Sequence, residues 1–239
     1  MEPLTTVGES VLIVIAGLML RFLLAIAVLA IIVVPIAFVF KAMQVGGSLK
    51  DRWQGFVHAG HLLLKQGLYY APGHTWLREE GPSTLRIGLD DLAQRLLTGI
   101  RAIRITEPGR VVRRGETIAE VTLDGRTARI QAPVDGTIVG VNGGVERAPE
   151  LVHRDPYRRG WLAVLVPTGI GYHELPSGEA AHRWLEGEDR RLTGFLETQL
   201  GVAAADGGEY VLPPPALLTE VQWNEVTRMF LVEPEAPAA

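Results

Sequence analysis

TIAEVTLDGRTARIQAPVDG, residues 117–136, is the stretch on which the fold turns. Two β-prone runs meet at Asp124-Gly125. Asp-Gly between such runs signals a two-residue hairpin, because both positions tolerate the positive φ that a type I′ turn requires. The texture continues on both sides, from His74 to Val166: TLRIGLD, GIRAIRI, GRVVRRGE, TIVGVNGG, WLAVLVP. Gly and Pro punctuate these runs about every 8–12 residues, a spacing that predicts a compact sandwich or barrel. DDLAQRLLTG breaks the pattern. Asp90 or Asp91 can cap a short helix there, with Leu92, Leu96 and Leu97 facing inward.

The order of short motifs across this region is specific. His74-Thr-Trp76 opens it. Thr84-Leu-Arg-Ile-Gly88-Leu-Asp90 follows, with Ala93-Gln94, Gly99-Ile100, Pro108-Gly109 and Gly115-Glu116. Ala132-Pro-Val-Asp-Gly136 is a turn, and then come Val141-Asn142, Pro149-Glu-Leu-Val152, Asp155-Pro-Tyr157 and Gly160-Trp-Leu162. In this order the motifs resemble the H protein of the glycine cleavage system, a relative of lipoyl domains. The resemblance implies a lipoyl-type sandwich over about 95 residues. It also implies a lipoyl group on a lysine of a hairpin, in a Glu-Ser-Val-Lys-Ala context seven residues before the Ala-Pro-Val turn.

Here the sequence departs from the family. Counting back seven from Ala132 reaches Gly125, in Thr122-Leu-Asp-Gly-Arg-Thr-Ala128. Arg126 is no substitute, since a guanidinium stays protonated and is no amine nucleophile. The lysines are Lys41, Lys50 and Lys65, all before the domain. The expectation is a domain with no lipoyl arm and no cofactor. Arg101, Arg104, Arg110, Arg113, Arg114, Arg126 and Arg129 make half of it basic. That is either a solvated strand face or one that meets acidic protein or anionic headgroups.

Val11 to Phe40 reads VLIVIAGLMLRFLLAIAVLAIIVVPIAFVF, with Arg21 as its one charge. As a helix it would span roughly 45 Å, against about 20 residues for a bilayer core. The reading is a transmembrane helix. A cleaved signal peptide fits worse, because residues 1–10 hold Glu2 and Glu9 and no base and the apolar run is too long. A buried globular helix would find nothing comparable to pack around it. Lys41, Lys50, Arg52 and Lys65 against Asp51 place the following chain in the cytoplasm and the N-terminus outside. With the crossing at 22–40, Leu12, Ile15 and Leu18 project beyond the bilayer, and Arg21 sits at its outer interface. A partner protein would cover them; the alternative is a tilted helix with Arg21 snorkelling and no partner.

The 239 residues carry a net charge of −4 and no cysteine. Disulfides, thiolate metal sites and thiol catalysis are excluded, and no basic block indicates nucleic acid. The expected organisation is an outer N-terminus over 1–10, the anchor over 11–40, a connector over 41–73, the β domain over 74–167 and a helical appendage over 168–239. In the connector, His58 and His61 would share a helix face. In the appendage, 177–200 approximates a helical stripe that Gly187 weakens, and 219–231 forms a helix capped by Thr219. The fold class is α+β: one transmembrane helix, an H-protein-like sandwich, then helices.

No nucleophile or metal spacing surrounds His74, His153, His173 or His182, so the chain reads as no enzyme. The functional expectation is an accessory scaffold bracing the cytoplasmic face of an inner-membrane electron-transfer complex, photosynthetic reaction centre or respiratory. Its partners would be integral membrane subunits and lipid. The docking residues would be Leu12, Ile15, Leu18, Arg21, Trp53, Arg113, Arg114 and Arg126. The alternative is a periplasmic adaptor of an export system, in the opposite orientation.

Overall fold

The structure is a computed structural model that describes residues 18, 19, 21, 22, 24, 55–201 and 212–233. By contact the chain divides into Met1–Gln54 and Gly55–Ala239. In the first unit Leu18, Met19, Arg21, Phe22 and Leu24 are helical and exposed. Leu12, Ile15, Trp53 and most of 11–40 lie outside the described residues. Among those described, no helix is long and apolar enough to cross a membrane. The expected fold class is therefore corrected: no transmembrane helix heads the described architecture, which is a β-rich sandwich with C-terminal helices. The longest helix among the described residues has the length of a span, but it is charged from Glu179 to Glu197.

The second unit begins earlier than the sequence suggested. Phe56–Ala59 (β1) and Leu62–Lys65 (β2) form an antiparallel hairpin. His58 thus lies in β1 and His61 in the hairpin turn, rather than the two sharing a helix face. Period-2 burial of Leu62 and Leu64 outweighs the helical reading.

A six-stranded antiparallel sheet follows, in the order β3-β4-β5-β11-β10-β7. Its strands are Tyr69–Ala71 (β3), Thr75–Glu79 (β4), Leu85–Leu89 (β5), Val111–Val112 (β7), Gly136–Val141 (β10) and Ala163–Pro167 (β11). Ala102–Ile105 (β6), Thr117–Leu123 (β8) and Arg126–Gln131 (β9) form a three-stranded sheet, ordered β6-β8-β9. Alternation sends Val121, Leu123, Ala128 and Ile130 into the core and turns Glu120, Thr122, Thr127 and Arg129 outward. Trp76, Leu77, Ile87, Leu89, Ile138 and Leu165 of the larger sheet belong to the same core. Gly88 pairs with Trp76 across β4 and β5, and a Cβ at Gly88 would overlap the indole. Glycine is what lets that ring lie against the strand.

Asp90 caps Asp91–Leu96 (α1), accepting from Ala93 N at 3.0 Å, and Leu92, Leu96 and Leu97 are buried as expected. Two short helices, Gly143–Arg147 (α2) and Leu151–Arg154 (α3), precede β11. His153 Nε2 lies 3.0 Å from the Gln94 carbonyl, tying α3 to α1.

Gly178–Leu200 (α4) is one unbroken helix. The break suggested by Gly187 is absent, because tertiary packing outweighs the weak propensity of one glycine. Ala181, Leu185, Leu192, Phe195 and Leu196 are its buried apolar positions, at helical spacing. The chain enters it along the free edge of β3, where Tyr70 N donates to Pro176 O at 2.9 Å. Glu220–Phe230 (α5) starts with a capping box between Thr219 and Gln222. It buries Trp223, Val226 and Phe230.

Candidate functional site

Three features converge on chemistry: the β8–β9 turn, a buried histidine, and a groove rich in arginine. The turn lies where the resemblance would place a lipoyl-lysine. Leu123 pairs with Arg126, leaving Asp124 and Gly125 as the loop. Gly125 has φ +71°, while Asp124 is not left-handed. The type I′ turn read from Asp-Gly is therefore not adopted, since it needs positive φ at both positions. Arg101 grips Asp124 with two bonds, Nε to Oδ1 at 2.6 Å and a second guanidinium nitrogen to Oδ2 at 3.1 Å. That bond holds the exposed Asp124 carboxyl below its usual pKa. The tip carries no primary amine, so an amide-linked lipoyl group has no attachment atom there.

Behind the tip the hairpin is covered from one side. The Arg126 guanidinium donates to the Leu218 carbonyl, and the Trp223 indole nitrogen lies 3.4 Å from Thr127 O. Arg126, half-buried, is thus engaged within the chain. Arg101, Arg104 and Arg129 are exposed around the outer face of this sheet. Arg129 faces Glu120 at 3.8 Å.

His74 opens β4 in a left-handed conformation, φ +55°. It is wholly buried, with Nδ1 at 2.8 Å from Asp90 Oδ2. Nε2 lies 3.5 Å from Glu188 Oε2, an ion-pair distance without an aligned hydrogen bond. Trp184 stacks on the imidazole at 5.1 Å between centroids. Burial pulls the His74 pKa down, but the two carboxylates outweigh it and lift it to about 9. Burial acts to raise Glu188, yet His74 and Arg191 hold it below the ordinary carboxylate value. A cation locked between α1 and α4 organises structure; it offers no open position to a substrate. A second histidine plays a similar part. His61 N and Nδ1 both meet Asp189 Oδ2, at 3.1 and 3.0 Å, tying the β1–β2 turn to α4.

The groove runs between the 113–116 turn, α4 and α5, with an open volume of about 1260 Å³. Arg113 and Arg114 line it together with Arg191 and Arg228. Sequence reading singled out the first two and missed the others, whose charges sit among mixed-sign helical residues. Among the described residues no group of three or more His, Asp or Glu is placed to hold a metal ion.

The described fold is a β-rich antiparallel sandwich that presents a two-residue hairpin and carries C-terminal helices. The family model described as Glycine cleavage H-protein matches residues 68–187. A glycine cleavage system H protein of Thermus thermophilus is 40% identical over 121 residues, covering 50% of this chain and 94% of the relative. A probable glycine cleavage system H protein of Thermococcus gammatolerans is 32% identical over 132 residues, 54% of this chain and 98% of the relative. A crystal structure of the H protein from Mycobacterium marinum aligns with a TM-score of 0.46 at 27% identity, over 52% of this chain and 99% of that one. The chain belongs to the glycine cleavage H-protein family.

That membership corrects the functional expectation. Relatives named for glycine cleavage do not support an electron-transfer scaffold, a photosynthetic or respiratory host, or an export adaptor. Integral membrane subunits as partners, and a single-pass inner-membrane placement, fall with it. Those readings rested on the hydropathy of 11–40 and its flanking charges, and an apolar stretch does not by itself carry a function.

Proposed function

We propose that this chain is a non-catalytic H-protein-family member that has kept the family's docking fold and gives up its lipoyl arm. It engages proteins of the glycine cleavage system, for which its relatives are named, and occupies their H-protein docking surface without carrying an intermediate. The observation that carries this reading is the hairpin tip. Asp124-Gly125 stands seven residues before Ala132, clamped by Arg101, and no lysine follows Lys65 in the chain. The Lys65 amine sits over the Phe56 ring at 4.7 Å, at the open end of the β1–β2 hairpin rather than at a turn. The exposed face of β6-β8-β9 around the tip is the docking surface in this reading.

A reconstituted glycine cleavage reaction tests both halves. Substituted for the lipoylated H protein, the chain should give no turnover. Added in roughly tenfold excess beside that H protein, it should slow turnover by competing for the same surfaces. Turnover supported by the chain alone would overturn the non-carrier half. Undiminished turnover under excess would overturn the docking half.

A further inference from the structure

We infer that the groove between the 113–116 turn, α4 and α5 binds a small organic oxyanion, a phosphate or carboxylate on an apolar body. Four guanidinia line it: Arg113, Arg114, Arg191 and Arg228. Two are already committed. Arg114 Nε reaches both Glu233 oxygens at 2.8 Å, and Arg191 reaches Glu188 at 2.8 and 2.6 Å. Arg113 and Arg228 meet no carboxylate among the described residues. The third carboxylate, Glu116, accepts the Arg113 backbone N–H at 3.0 Å. The lining therefore keeps a positive excess in a chain of net charge −4.

The chemistry of those groups names the ligand class. A guanidinium presents a planar fork that suits carboxylate and phosphate. The pairs at Arg114 and Arg191 leave Arg113 and Arg228 as the guanidinia of the lining without a carboxylate partner among the described residues. Trp184 and Met229 also line the groove, giving an apolar surface for the rest of the molecule, the usual mixture in a small-molecule site. Trp184 is held in place by its stack on His74.

The groove also extends past the region that the family model matches. Arg113, Arg114 and Trp184 fall within the family match at 68–187, whereas Arg191, Arg228 and Met229 fall beyond it. The appendage thus completes a site that the matched domain alone does not form.

Calorimetric titration of the full chain with phenyl phosphate, inorganic phosphate and phenol tests the inference. Phenyl phosphate should bind saturably with a Kd of about 1 mM or tighter. Inorganic phosphate should bind several-fold more weakly, and phenol should give no saturable binding. The double variant Arg113→Gln/Arg228→Gln should weaken phenyl phosphate about tenfold or more, the scale of lost charge-assisted bonds. Arg154→Gln/Arg158→Gln removes the same charge from exposed residues outside the groove and should leave binding unchanged. No saturable binding, an unaffected groove variant, or equal losses in both variants would overturn the inference.

Discussion

At the residue scale, His74 joins a strained backbone to a buried charge. Its folded pKa, about 9, lies above the ordinary 6.5. Folding therefore favours the protonated imidazole. The stability it contributes is present in full below about pH 6.5 and is lost as pH rises through about 9. Thermal unfolding of wild type should fall more steeply between about pH 7 and 9.5 than that of His74→Asn, which removes the titrating group and tolerates positive φ. Equal slopes would show that the Asp90 and Glu188 carboxylates do not hold the proton. Gly88 gives a second residue-scale test. A methyl there meets the fully buried Trp76 indole. Gly88→Ala should cost about 1–3 kcal/mol by overpacking, read from urea unfolding. Gly125 differs: a Cβ there meets nothing within 4 Å. Gly125→Lys should therefore fold, with about 1–2 kcal/mol of left-handed strain, and should be a better acceptor for a lipoate-attaching enzyme than wild type.

At the element scale, α5 secures the back of the β8–β9 hairpin through one aromatic anchor. Trp223 is 4% exposed, and its indole nitrogen reaches toward β9. Trp223→Ala should cost about 3–5 kcal/mol. Thr219→Ala, which removes one side of the capping box, should cost about 1 kcal/mol. A loss at Trp223 no larger than at Thr219 would mean that α5 merely rests on the sheet. This element was legible in the sequence because its cap and its stripe are local signals. So was α1, through Asp90 and its leucines. The β1–β2 hairpin was not legible: HAGHLLLK carries too few residues for period 2 and period 3.6 to separate. What makes it a hairpin is distant, since Asp189 meets His61 at its turn. The Arg191 and Arg228 sides of the groove were hidden for the same reason. Their relation to Arg113 is tertiary, and no spacing along the chain encodes it.

At the scale of the whole molecule, an H-protein-type sandwich is combined with an appendage that shares its core. Phe195 and Phe230 meet edge to face at 6.5 Å between centroids. Arg191 stands over Phe230, 5.4 Å from the ring centroid, so α4 and α5 are joined to each other as well as to the sheets. The ordered motifs from His74 to Leu162 pointed to the family, because turns and glycines fixed by backbone geometry are readable along a chain. Cellular role was not readable that way. Hydropathy over 11–40 points to a membrane complex, whereas the matches point to glycine cleavage. In the proposed reading, the chemistry of the hairpin tip is what would separate this chain from a carrier. The most direct test is the intact mass of the full chain after co-expression with a lipoate-attaching enzyme and supplied lipoate, with a lipoylated H protein made in parallel as control. The chain should keep its sequence mass, apart from ordinary N-terminal processing, while the control gains one lipoyl increment. A lipoyl increment on this chain within residues 55–233 would contradict the account.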